Sequence, residues 1–226
     1  MELVRVDTKR AYEQIRDRIA SLELAPGSPI NAQQLAQDLD LALVAVQEAL
    51  KLLAHDNLVT ITPRHGLYVA DVNVPDLRQL SEMRLALEGL SARLAAERAT
   101  ADDLVVLDAL RPAERQAATP VEDTRRLLEV DHHFHQAIAR ASQNKYLAEA
   151  LERLFGLSQR LWYLALPNLP APRAGSPGGF LPSAVDMHLD LVQAIREHDA
   201  DRAEQIMRSH VQGFYDQVRQ ILVARE

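Results

Sequence analysis

Residues 131–144, DHHFHQAIARASQN, set a carboxylate and an imidazole four residues apart on a helical pattern, so Asp131 and His135 share one helix face. Phe134, Ile138 and Ala141 form the adjacent apolar stripe. The Asp131/His135 edge is therefore expected to point into a helical bundle rather than into water. A buried pair of this kind requires either another polar partner or a cation, because an unpaired ionised carboxylate in an apolar interior is costly. His188 and His210 also lie on helical patterns, and their convergence on the same point would assemble one oxygen and three nitrogens. That ligand set suits Zn²⁺ and also accepts Ni²⁺ or Mn²⁺. Without the two later histidines, Asp131 and His135 read first as an ordinary i,i+4 pair on a helix surface. His132 and His133 are rotated by about 100° and 200° from Asp131, which places them outside the ligand set or in solvent. His198, in Arg196-Glu197-His198-Asp199 near a helix end, reads as a favourable C-terminal charge.

The elements that must carry these groups fall into two parts. Ala11, Ile15, Ile19 and Leu22 repeat at helical spacing, which predicts a helix over 8–22, opened by Asp7 or Thr8 and stopped at Ala25-Pro26-Gly27. Asn31 caps a short helix, AQQLAQDL, and another helix begins near Ala42 and buries Val46, Ala49, Leu50 and Leu53. Two β-rich runs follow, 58–62 and 67–70, around the turn Pro63-Arg64-His65-Gly66. Three helices and a hairpin predict a winged helix-turn-helix over 1–72. The segment 71–75 reads as a linker, and the remainder, 76–226, is expected to be an all-α bundle of about six helices at 76–99, 101–117, 121–142, 144–164, 183–198 and 200–224. Bundle cores are where ligand sets from facing helices are built. The Pro/Gly-dense stretch 167–182 reads as a long loop with the character of a lid. The fold class is mainly α.

Composition narrows the chemistry. The 226 residues are 47% hydrophobic and 25% charged, with no cysteine, so thiolate ligation, disulfides and cysteine nucleophiles are excluded and only histidine and carboxylate remain as ligands. No run of apolar residues is long enough to span a membrane, and the charged N-terminal stretch is unlike a secretory leader, which points to a cytoplasmic protein. A formal charge of −7 and a pI near 5.6 argue against a generally basic nucleic-acid binder, although a dimer can present a local basic patch.

Particular motifs reach further. In the first part they are Tyr12-Glu13-Gln14-Ile15, Leu24-Ala25-Pro26-Gly27, Leu35-Ala36, Glu48-Ala49-Leu50, Leu58-Val59 and Arg64-His65-Gly66. In the second they are Arg84 and Glu88, Ala95-Ala96-Glu97, Asp131 with Phe134-His135, Asn144, His188 with Leu191-Val192 and Ala194-Ile195, and His210. Across essentially the whole chain these residues resemble the GntR transcription regulators, in the subgroup with a FadR-type helical effector domain (FCD), here of the shorter VanR-like form. The resemblance implies a regulator that binds DNA and responds to a small organic acid, and a homodimer is expected because one weak reading head cannot give operator affinity. It also implies a divalent metal on Asp131, His135, His188 and His210. Arg84, which otherwise reads as half of a surface ion pair with Glu88, would reach the effector carboxylate. Asn144, first of all a helix N-cap, and Arg160 are further candidates for the effector pocket. Trp162 and Tyr163 read as core.

One stretch departs from that family. Where its members carry Gly-Val-Ser-Arg-Thr-Pro-Val-Arg-Glu-Ala-Leu, with Ser, Thr and both Arg on DNA, this chain has Asp40-Leu41-Ala42-Leu43-Val44-Ala45-Val46-Gln47-Glu48-Ala49-Leu50. Gln47 to adenine, Lys51 to phosphate, and Arg64 with His65 on the wing remain as DNA contacts. Leu43 and Val44 would together form a small exposed apolar patch. Two other readings accompany the regulator: a metal-dependent sensor or interaction protein whose winged helix has lost specific reading, and a metal-dependent hydrolase.

Overall fold

The computed structural model describes residues 2–117, 124–165 and 180–223, and among them the chain forms two compact units. The first comprises Met1–Val74 together with Gly156–Leu164, and the second Pro75–Phe155 with Ala165–Glu226.

In the first unit, α1 (Glu2–Ala20) packs on α3 (Leu43–His55), with α2 (Ala32–Asp38) beside α3. Ile15, Ile19, Leu50, Leu53 and Leu58 are fully buried between them. Asn31 caps α2, accepting from the backbone N–H groups of Gln33 and Gln34 at 3.0 and 3.1 Å. The wing is a three-stranded antiparallel sheet in the order β1-β3-β2: β1 (Pro29–Ile30), β2 (Val59–Thr62) and β3 (Gly66–Val69). Val59 pairs with Val69 and Thr62 with Gly66, while Pro29 and Ile30 pair with Tyr68 and Leu67.

The second unit contains α4 (Asp76–Arg98), α5 (Ala101–Ala117), α6 (Thr124–Ala141), the first half of α7 (Lys145–Ala165), α8 (Phe180–Arg196) and α9 (Ala200–Val223). Its core joins Ala92, Ala95 and Ala96 of α4 to Phe134 and Ile138 of α6, Leu191 and Ile195 of α8, and Met207 and Val211 of α9. The small residues on α4 bring it close to α9. At Gly89 a Cβ would stand 2.8 Å from Arg208 Cγ, so the arginine lies across α4 and donates to the Leu85 carbonyl at 3.2 Å.

Several expectations are corrected. Helix α1 starts at Glu2, so Asp7 and Thr8 lie inside it; the charged segment before them continues the helix rather than leading up to a cap. Strand β1 is two residues long, too short to leave an alternating pattern. Helix α8 begins at Phe180 rather than 183, since Pro182 falls in its first turn, where the missing N–H costs no hydrogen bond. The rest of the expected lid, 167–179, lies outside the described residues. Leu43 is half-buried against the first unit's core, while Val44 is 59% exposed, so the two do not form the exposed pair expected.

Candidate functional site

Four buried side chains from three helices meet in the second unit: Asp131 and His135 of α6, His188 of α8 and His210 of α9. Each offers one donor atom, and all four donors lie within 4.8 Å of one another. His135 Nε2 stands 3.0 Å from His210 Nε2, which is 3.3 Å from His188 Nε2. Asp131 Oδ1 is 3.5 Å from both His188 and His210 and 3.7 Å from His135. Ligands about 2.1 Å from a tetrahedral ion are separated by about 3.4 Å, so this spacing fits a divalent cation at the centre. Hydrogen bonding fits it less well. Three imidazole nitrogens aimed at one point can share a proton only in pairs, leaving a further lone pair facing its neighbours.

Packing fixes the rings. Phe134 stacks on His188 with centroids 3.9 Å apart, Phe214 lies 5.0 Å from His210, and Phe155 stands edge-on to His135 at 5.2 Å. Burial lowers the pKa of His188 strongly and that of His210 as well, which favours the neutral, metal-binding form. For Asp131 burial acts upward, but the histidines around it, His135 foremost, outweigh burial and hold the carboxyl well below its usual range. His135 differs from the other two imidazoles. Burial opposes its charge, yet the carboxylates of Glu88 and Asp131 prevail and raise it to about 9.

Glu88 overturns the surface ion-pair reading. It is 1% exposed, and its Oε1 accepts from Arg84 Nε at 2.5 Å, with Arg84 itself 6% exposed. The Arg84 guanidinium lies 4.5 Å over the Phe155 ring. Burial would raise the Glu88 pKa, but Arg84 and His135 together lower it to about 2.

The other candidates are distributed differently. Asn144 caps α7, accepting from Leu147 N–H at 3.2 Å. Arg160 lies in the first unit, donates to the Ala70 carbonyl, and has its pKa lowered to about 10 by burial, against the pull of Asp71. Of the three expected effector contacts, Arg84 is linked to the cluster within the second unit, through Glu88, which accepts from it and faces His135. His133 is exposed, and His132 lies 2.9 Å from Gln136 Nε2. His198 does more than supply a terminal charge. Its Nδ1 donates at 2.8 Å to the Ala96 carbonyl, in the last turn of α4, where carbonyls lack helical partners. Trp162 and Tyr163 are buried, as expected of core residues. Phe155 was the residue not singled out from the sequence, because at i+4 from Leu151 it looks like any core position.

The FCD domain profile matches residues 79–213, and that of "Bacterial regulatory proteins, gntR family" matches residues 7–69. The chain belongs to the GntR family. It is 26% identical over 215 residues to the HTH-type transcriptional repressor RspR of Escherichia coli, covering 94% of this chain and 89% of that one. It is 25% identical to the Nta operon transcriptional regulator of Aminobacter aminovorans, covering 89% and 90%. Among solved structures, E. coli McbR/YncC shares the fold with a TM-score of 0.81 at 21% identity, covering 95% and 97%. These relatives are transcriptional regulators rather than enzymes, so this regulator is grouped with them and the hydrolase reading falls away. Among the described residues no helix is long and apolar enough to cross a membrane.

On the regulator's α3, Gln47 is exposed, and Lys51 is engaged by Glu48 at 2.7 Å. Arg64 and His65 are exposed at the wing tip, where Arg64 takes a left-handed conformation with φ 65°. Residues 1–74 carry ten acidic and seven basic side chains, the reverse of the balance expected on a phosphate-binding surface.

Proposed function

We propose that this regulator works in the cytoplasm as a homodimer. Each chain holds one divalent ion, with Zn²⁺ the best fit and Ni²⁺ or Mn²⁺ as alternatives, on Asp131, His135, His188 and His210, and responds to a small organic acid. The observation that carries this reading is the convergence of three imidazole nitrogens and one carboxylate oxygen on a single buried point. When bound, the ion acts as a Lewis acid toward an effector carboxylate. Arg84 has Nε committed to Glu88, so its terminal nitrogens would receive the effector. Effector binding then shifts the population of arrangements of the paired winged helices, and so their fit to two half-sites. Elemental analysis of the purified protein should find close to one divalent ion per chain. Small hydroxy- and dicarboxylates should raise the melting temperature of metal-loaded protein, and Arg84→Ala should reduce that shift while the metal stays bound. Equal shifts in metal-free protein would detach the effector from the ion.

A second reading, a sensor whose winged helix reads DNA weakly and non-specifically, is favoured by Val44, Gln47 and the Glu48-bound Lys51 on α3. In both readings DNA contact falls to Gln47, Lys51, Arg64 and His65. Arg64 is kept in a backbone conformation that costs a non-glycine residue about 1–2 kcal/mol, as strained residues at binding sites often are. Arg64→Gly is therefore expected to hold or raise the melting temperature while weakening DNA binding in a gel shift. A loss of stability with DNA affinity intact would remove the wing from the interface.

A further inference from the structure

We propose that Glu88 is a positioning residue for the ligand cluster, holding His135 in the tautomer that turns Nε2 toward the shared point; this rests on the metal reading above. His135 Nδ1 faces Glu88 Oε2, and among the described residues neither atom has another hydrogen-bond partner. A carboxylate can only accept there, so Nδ1 carries a hydrogen, and Nε2 is the nitrogen that would give up its proton to an ion.

The carboxylate is itself held in place. Its second oxygen accepts from Arg84 Nε at 2.5 Å, the guanidinium lies 4.5 Å over Phe155, and Phe155 is edge-on to the His135 ring at 5.2 Å. His135 is thus fixed through its hydrogen bond on one side and its ring contact on another, by two residues that both meet Arg84. The orientation of His135 is thus set from outside the cluster, and Arg84 governs how strongly, because it draws on the same carboxylate.

Opposite effects of the two partners test the idea. Zn²⁺ affinity is measured by competition with a chromophoric chelator, and the absorption of bound Co²⁺ reports the ligand geometry. Glu88→Gln, which weakens the acceptor at constant shape, should lower Zn²⁺ affinity about 10–100-fold and shift the Co²⁺ spectrum. Arg84→Met should tighten Zn²⁺ binding, because Glu88 is then left to His135 alone. The double variant Arg84→Met/Glu88→Gln removes both buried charges at similar volume, which guards against a folding defect from a lone buried charge, and should bind as weakly as Glu88→Gln. Equal Zn²⁺ affinity and an unchanged Co²⁺ spectrum in the Glu88→Gln and double variants would overturn the role of Glu88. Weakening by Arg84→Met as large as that by Glu88→Gln would reduce the pair to a structural brace and overturn it too. If the wild-type protein itself bound neither Zn²⁺ nor Co²⁺, the metal reading would fall, and this inference with it.

Discussion

Stripping the metal, or replacing His210 by alanine, is expected to lower the melting temperature by roughly 10 °C. A ligand present at about a thousand times its dissociation constant stabilises the folded state by about 4 kcal/mol. In a domain of this size each kcal/mol moves the midpoint by about 2–4 °C. His210 is the centre of the cluster: its Nε2 is 3.0 Å from that of His135, 3.3 Å from that of His188 and 3.5 Å from Asp131 Oδ1. Truncating a buried ring also leaves a cavity, which destabilises with or without an ion. The two effects separate in a cycle. His210→Ala and chelator are applied singly and together, and the metal contribution is the part of the mutation's cost that disappears once the metal is gone. His188→Ala should behave likewise, with a larger residual cost because it also loses the stack on Phe134. Identical melting of stripped and Zn²⁺-reloaded wild-type protein would sink the assignment.

The convergence of Asp131, His135, His188 and His210 was legible because Asp131 and His135 stand one turn apart beside a clear apolar stripe, and because His188 and His210 lie in motifs the family shares. The role of Glu88 was not. On α4 the ordinary rule is inverted: Ser81, Arg84, Glu88 and Ser91 are buried, while Met83 and Leu90 are 50% and 40% exposed. A reading based on hydrophobic periodicity assigns the wrong face to such a helix, since charged groups go inside only when partners on other elements are waiting for them. Those partners are His135, 47 positions along the chain, and Phe155, neither of which a local window contains. The winged helix was easier to read because α2 and α3 bury apolar residues in regular register and Asn31 marks a start that the capping hydrogen bonds confirm. Its limits were those of local signals. Asp7 and Thr8 look like a cap but lie inside α1, and the two residues of β1 are a strand because β3 is there to pair with them.

Restoring the two missing arginines of the recognition helix, as Leu43→Arg with Gln47→Arg, should steepen the dependence of log K on log salt by roughly 1.8, since each phosphate neutralised contributes about 0.9. If either arginine also bridges a guanine, discrimination improves by about 1–3 kcal/mol at that base pair. The wild-type surface offers little of this. Its exposed α3 residues include Val44 and Gln47, and Lys51 must leave a 2.7 Å contact with Glu48 before it can meet a phosphate. Leu43 is half-buried against the core, but an arginine stem can cover the same apolar surface while its head reaches outward, so the fold should tolerate the change. Metal content, set in the other unit, should stay the same. The measurement is a gel-shift titration at several salt concentrations, comparing wild type, the double variant and Arg64→Ala. The natural protein should show the shallow slope, with Arg64→Ala removing much of what remains. Tight binding of one operator by the natural protein with a steep slope, indifferent to Arg64→Ala, would mean that the reading contacts lie elsewhere on the chain, and the weakness inferred for α3 would be wrong.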